Sequence, residues 1–365
     1  QGGLEAHSED ELNRLLARRA VTVNLGVSNR AFTLAGRATP EDALLAAQLM
    51  TAHFTAPGWR EDGLRRLRAI EPEARRNLYA SAGGVLTAEI NPMLRGGDQR
   101  FTLPDRNIID AFDMAAARAM LEPALERAPI EVTIVGDITP EDAAALVAST
   151  FAALPARDET FPLPATAELG FPEPNETPEL VRFNGEPNQA YALTVWRTAD
   201  GRDQAEERKL TLLRSVFRLK AIEVLREELG ATYSPNIQSV NSEVFTGWGY
   251  HWAGLDVEPG NIQVAFDAVD AIATEIAAGD VSADEIQRAR QPILENIEES
   301  RERNPYWLSL LAQSQRFPQY LEEHRTAQAD YEALTADDVA EAGARYLQPD
   351  EAWRAMILAE GVAAP

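Results

Sequence analysis

The 365-residue sequence contains no cysteine and only four histidines, and basic residues are well outnumbered by acidic ones. The lack of cysteine excludes disulfides, thiolate nucleophiles and cysteine-ligated zinc, so any metal would have to be held by His, Asp or Glu. With 34 basic against 58 acidic residues the net charge is -24. Such a surface repels phosphate backbones and anionic lipid, so no nucleic-acid partner is expected. No apolar run approaches the roughly 18 to 20 residues that span a bilayer, so no membrane partner is expected either. The length suits two domains.

The histidines His7, His53, His251 and His324 stand too far apart to pair on one helix turn. Helical zinc pairs need imidazoles three to five positions apart, and no residue is assigned as a metal ligand. The acids beside His7 and His324 read as solvated surface clusters. There is no Gly-x-Ser-x-Gly elbow, and Gly83-Gly84 and Gly96-Gly97 lack the Lys-Ser/Thr of a phosphate loop and read as turns.

Helix starts are legible. Thr39-Pro40-Glu41-Asp42 and Thr139-Pro140-Glu141-Asp142 place a hydroxyl cap, a first-turn proline and early acids ahead of apolar periodicity. Ser8 with Glu11 and Ser282 with Glu285 form capping-box patterns. Strand character marks residues 20–27, 30–36, 130–136, 189–196 and 353–359. The Pro-rich, acidic stretch 156–178 reads as a linker between residues 1–155 and 179–365. The two sides look like copies. "FTLAGRATPEDALLAAQLM" from Phe32 parallels "WAGLDVEPGNIQVAFDAV" from Trp252, with Pro40 opposite Pro259. The strand and long helix of the second copy, 179–230, have no full counterpart in the first, which is therefore expected to be truncated at its N-terminus.

One segment carries polar chemistry. In "LREELGATYSPNIQSV", Leu225 to Val240, a long helix closes near Gly230, a plausible C-cap, and runs into a strand. That geometry lets Arg226 and Tyr233 converge as two hydrogen-bond donors suited to the carbonyl oxygens of an extended peptide. Equally, Arg226 pairs with Glu223 along the helix and Tyr233 packs in the sheet.

This segment resembles the Arg-x6-Tyr element of the pitrilysin/insulinase zinc metallopeptidases. The resemblance extends to "IEVTIVGDITPEDAAALVASTFAALP" (130–155) and to the loop from "INPML" (90–94) to "DQRFTLP" (98–104). It implies an α/β (α+β) fold of two homologous two-layer units, each a mixed, largely antiparallel sheet with helices packed on one face. Residues 1–155 would be the third and 179–365 the fourth unit of a four-unit protein that closes around peptide like a clamshell. It further implies that zinc is the cofactor of the full-length enzyme, bound by an N-terminal catalytic half or partner subunit through His-x-x-Glu-His, a motif absent here. This half would have no catalytic and no metal-binding residue of its own and would contribute Arg226 and Tyr233 to the peptide substrate. The alternative is a catalytically inactive structural or peptide-binding subunit. Compartment is left open, with the periplasm expected only from bacterial members of the family.

Overall fold

The computed structural model describes residues 2–160, 168–228, 235–312, 314, 315 and 317–364; side chains of 225–228 are not described. The chain divides into two compact units, each assembled from separate stretches. The first comprises Gln1–Pro72, Pro104–Ala165 and Arg303–Leu321; the second comprises Glu73–Leu103, Thr166–Glu302 and Glu322–Pro365.

The first unit begins with helix α1 (Glu9–Leu16), closed by the reciprocal Ser8–Glu11 capping box. An antiparallel hairpin of β1 (Val21–Val27) and β2 (Phe32–Ala38) follows, and then helix α2 (Ala43–Thr55) packs on both strands. Helices α3 (Met114–Arg127) and α4 (Pro140–Ser149) pack against α2. Thr139 caps α4 by accepting from the Asp142 amide. The buried Asp42 carboxylate accepts from the Ala20 amide at 3.1 Å and from Arg19 at 3.2 Å, fixing the entry of β1 to the turn before α2. In the hairpin, side chains alternate between faces. The register Val23↔Gly36, Leu25↔Leu34 and Val27↔Phe32 gathers apolar residues on one face, while Thr22, Asn24, Thr33 and Arg37 share the other.

The expected strand at 130–136 is corrected: the structure assigns no strand there. A strand is defined by its neighbour's hydrogen bonds rather than by β-branched content, and among the described residues of this unit the only sheet is the two-stranded hairpin. Ile130, Val132 and Ile134 alternate as a strand's would but have no ladder to join.

The second unit holds a five-stranded sheet in the order β3-β7-β4-β6-β5, built from β3 (Glu179–Phe183), β4 (Ala190–Thr198), β5 (Asn236–Asn241), β6 (Gly249–Val257) and β7 (Ala352–Ala359). Only β3 with β7 is parallel; the other three pairings are antiparallel. Helices α5 (Gln204–Glu228), α6 (Ile262–Ala277), α7 (Ala283–Arg301) and α8 (Ala336–Tyr346) supply the core on one face. α6 buries Ile262, Ala265, Phe266, Val269, Ile272 and Ile276, a three-to-four spacing that puts one helical stripe against the sheet. The other face is covered as well, by Val85, Ile90 and Leu94 from the helical stretch 82–94. This double cover is why β4 and β6 are buried along nearly their whole length instead of alternating. Gly83-Gly84 is accordingly corrected from a turn to part of the helix Ala82–Val85, capped by Ser81. Gly96 and Gly97 do form a turn, with φ of 63° and 72°. At Gly96 a side chain is excluded twice over, because a Cβ would also stand 2.8 Å from the Gly170 backbone.

The copies seen in sequence share a backbone path. Before α2, Thr39 has φ/ψ of -73°/160°, Asp42 -98°/4° and Ala43 -58°/-41°. Before α6, Glu258 has -73°/148°, Asn261 -104°/4° and Ile262 -58°/-45°. Each follows the second strand of an antiparallel hairpin, and each holds proline at the first position of a short 3-10 turn, Pro40 and Pro259.

Candidate functional site

The frame of the candidate site is the passage from α5 to β5. Arg226 lies within α5, with its side chain outside the described ones, while Gly230 and Tyr233 lie outside the described residues altogether. What is described is how tightly the flanking elements are held. Glu223, the alternative partner for Arg226, accepts from Arg288 of α7 at 2.8 Å.

β5 is pinned along its length. At its start, Asn236 donates to the Tyr191 hydroxyl of β4 at 3.3 Å, and Gln238 donates to Asn236 at 2.8 Å. At its end, Asn241 donates to Glu207 of α5 at 2.5 Å and accepts from Thr198 of β4 at 2.8 Å. Burial pushes up the pKa of Glu207, with the Asn241 bond opposing it, and burial likewise raises Tyr191 and Asp256. Tyr191 and Asp256 face each other across the β4–β6 ladder. The start of the strand that follows Tyr233 therefore carries a buried phenol and an amide, both able to donate or accept. Sequence reasoning missed Tyr191 and Glu207. The one available signal was a hydroxyl inside the apolar run "AYALTV"; nothing local marks Glu207.

Under the middle of β5 the fully buried His251 ring stands 5.2 Å from Phe217 and 6.0 Å from Trp196, centroid to centroid. Its Nδ1 is 3.1 Å from the Ser239 hydroxyl, and its Nε2 has no hydrogen-bond partner among the described residues. Burial, with Arg214 adding repulsion, lowers its pKa to about 3, so the ring is neutral at ordinary pH. Among the described residues no three His, Asp or Glu side chains gather as a metal-ligand set, and His251 has apolar rings where further ligands would have to stand. These residues do not fit a zinc ion. No helix among the described residues is long and apolar enough to cross a membrane.

Residues 127–293 match the family model described as the peptidase M16 inactive domain. This stretch is similar to that family. The match takes in α5, β5, β6 and α6, so both Arg226 and Tyr233 fall inside the matched stretch. The chloroplastic stromal processing peptidase of Arabidopsis thaliana is 20% identical over 317 residues, covering 74% of this chain and 25% of that protein. The chain thus spans about a quarter of the length of this curated relative. Among solved structures, the ferredoxin protease FusC, in complex with Arabidopsis ferredoxin, matches 98% of this chain and 39% of its own, with a TM-score of 0.78 at 16% identity. A peptidase M16 inactive domain from Pseudomonas fluorescens matches all of this chain and 87% of its own, with a TM-score of 0.75 at 17% identity. At these identities the structural matches establish the fold: a mixed α/β architecture of the peptidase M16 type.

Proposed function

We propose that this chain is the non-metal-binding half of a zinc-dependent peptidase and helps hold the peptide in a chamber closed by a separate catalytic half. The observation that carries the reading is the inactive-domain match over 127–293, which includes the α5–β5 passage. In it, residues 1–155 and 179–365 are the third and fourth of four homologous units, joined through 156–178. Arg226 and Tyr233 donate hydrogen bonds to peptide carbonyls, and Tyr191, Glu207 and Thr198 brace β5, the strand that follows Tyr233 in the chain. Water activation and its zinc belong to the catalytic half, in the same polypeptide or a partner subunit.

The test is Arg226→Ala in the complete protein. Cleavage of a fluorogenic peptide should fall at least about tenfold, the scale of one charge-assisted contact, with zinc content unchanged by elemental analysis. Unchanged cleavage would remove Arg226 from the reading. Absence of cleavage in the wild-type complete protein would replace the enzyme with an inactive peptide-binding subunit.

A further inference from the structure

Cations drawn into the second unit meet carboxylates. Arg208 pairs with Asp330, Lys220 with Glu275 and Glu285, and Arg354 with Asp270. Arg95 departs from that pattern. It is partly buried, yet no carboxylate pairs with it among the described residues, in a sequence that carries 58 acidic residues. Its guanidinium carbon stands over two rings instead, 4.8 Å from the Phe101 centroid and 4.8 Å from that of Trp248. Ring faces attract the charge but leave unclaimed the N–H donors, which lie in the guanidinium plane. Of those five donors one is used, by Nη1 to the Asn91 carbonyl at 2.8 Å. Burial, opposed only by Tyr250, holds the Arg95 pKa below the usual arginine value, as expected of a charge without a counter-charge. The rings are fixed by their own contacts. Trp248 donates Nε1 to the Leu94 carbonyl at 3.0 Å, and Phe245 meets Phe101 edge-on at 5.9 Å and Trp248 edge-on at 6.5 Å. Gly96 and Gly97, next in the chain, are exposed and leave Arg95 accessible. The neighbouring Arg100, over Phe101 and Phe245, is closed by Asp98, which accepts from its Nε at 2.9 Å and from its Nη2 at 2.7 Å. The group of Arg95, Arg100 and Asp98 is thus left with one positive charge, on Arg95.

We infer that Arg95, walled by Phe101 and Trp248, is a binding site for a single carboxylate carried on an apolar chain. The charge left over is one, which a carboxylate neutralises and a phosphate dianion would exceed. The guanidinium fork matches the two oxygens of a carboxylate, so one ligand group can take two of the unclaimed donors at once. The rings on either side offer apolar surface to the chain that bears it. A peptide presents such a group at its C-terminus or on an Asp or Glu side chain, and the chemistry at Arg95 is the same for both. The site is separate from the α5–β5 passage. Trp248 follows the end of β5 whereas Tyr233 precedes its start, and the six residues of that strand span about 20 Å. The inference does not depend on Arg226, Tyr233 or any catalytic role.

Calorimetric titration of the protein with four small probes tests it. N-acetylleucine carries a terminal carboxylate, N-acetylleucinamide lacks it, N-acetylglutamic acid α-amide carries only a side-chain carboxylate, and inorganic phosphate is the dianion. N-acetylleucine should bind at least about tenfold more tightly than its amide, the scale of one charge-assisted contact, and more tightly than phosphate. Arg95→Met keeps a chain between the rings without the charge and should abolish that preference. Arg95→Lys keeps the charge without the fork and should weaken N-acetylleucine at least about threefold. Arg218→Met removes an exposed arginine of α5 and should change nothing. Equal binding of the two acids supports the site for either source of carboxylate; binding of N-acetylleucine alone supports it for a chain terminus, and of the glutamic acid probe alone for a side chain. Failure of both acids to bind overturns the inference. So does equal binding of N-acetylleucine and its amide without binding of the glutamic acid probe, phosphate binding more tightly than both acids, or an Arg95→Met protein that retains the preference. Should Arg95→Met fail to fold, the wild-type comparison of acid with amide decides by itself.

Discussion

β2 and β6 enter their helices along nearly the same dihedral path, yet one is exposed along most of its length and the other is buried except at Asp256. Of the large apolar side chains exposed among the described residues, Leu180 and Val264 belong to the second unit and all the others to the first. Local chain path is thus set by a few residues, namely a strand end, a proline at the first turn position and an alanine or isoleucine to start the helix. Burial is set by what the sheet is given as neighbours. Between β5 and β7, β6 and β4 lie under helices on both faces; β2 has one strand and part of one helix.

That contrast is open to attack by mutation, and the largest effect is expected in the second unit. Phe217→Ala removes a fully buried ring from between Trp196 and His251 and should cost about 3 to 5 kcal/mol in urea unfolding. Phe32→Ala, the same change at the corresponding strand of the first unit, should fall within about 0.5 kcal/mol. Equal costs would mean that the hairpin face is buried in solution.

A comparable effect is expected from acid, again only in the second unit. His251 is neutral when folded, with its pKa lowered to about 3, while the unfolded chain titrates near 6.5. Between those values the unfolded state binds the extra proton, so stability is fully present above pH 6.5 and is lost as pH falls toward 3. The loss assigned to this ring is on the order of 5 kcal/mol. It is read as the difference in pH dependence between wild type and His251→Phe, which cannot titrate. Parallel curves for the two proteins would show that the ring is hydrated or already paired.

The smallest effects separate local from tertiary contributions. Ser282→Ala and Ser8→Ala each break a complete capping box, on α7 and α1 respectively, and each should lower stability by about 1 kcal/mol. Here the units should behave alike, because a cap acts within its own first turn. A much larger loss at Ser282 alone would make the α7 start part of the tertiary core.

What was legible in the sequence follows the same division. Four of the five strand segments and the starts of α1, α4 and α7 were visible because capping side chains, first-turn proline and β-branched alternation act over a few residues. The fifth strand, 130–136, failed because alternation reports a residue's preference and not the presence of a ladder partner. Gly83-Gly84 failed for the opposite reason: Ser81 caps a helix that tolerates both glycines, and its burial against the sheet outweighs their propensity. Thr335, which forms a capping box with Asp338 at α8, was overlooked because an aspartate takes the place of the usual Glu/Gln. At the candidate site, Arg226 and Tyr233 are singled out in the sequence by their place at a helix end and a strand start and by the resemblance, and the side chain of one and the whole of the other lie outside what the structure describes. Tyr191 and Glu207 brace β5 from 45 and 34 positions away and leave no local signature.

The parallel pairing of β3 with β7 joins Glu179 to Ala355 and Phe183 to Ala359, across almost half of the chain. β7 lies inside the sheet, with β3 on one side and β4 on the other, yet it is made last. A ribosome must therefore make nearly the whole unit before this interior strand exists, and until then β3 and β4 wait as two apolar edges with the entropy of a long loop still to be lost. Folding of this unit waits for β7, and the interval before β7 arrives is when the nascent chain is most exposed to aggregation and chaperone capture.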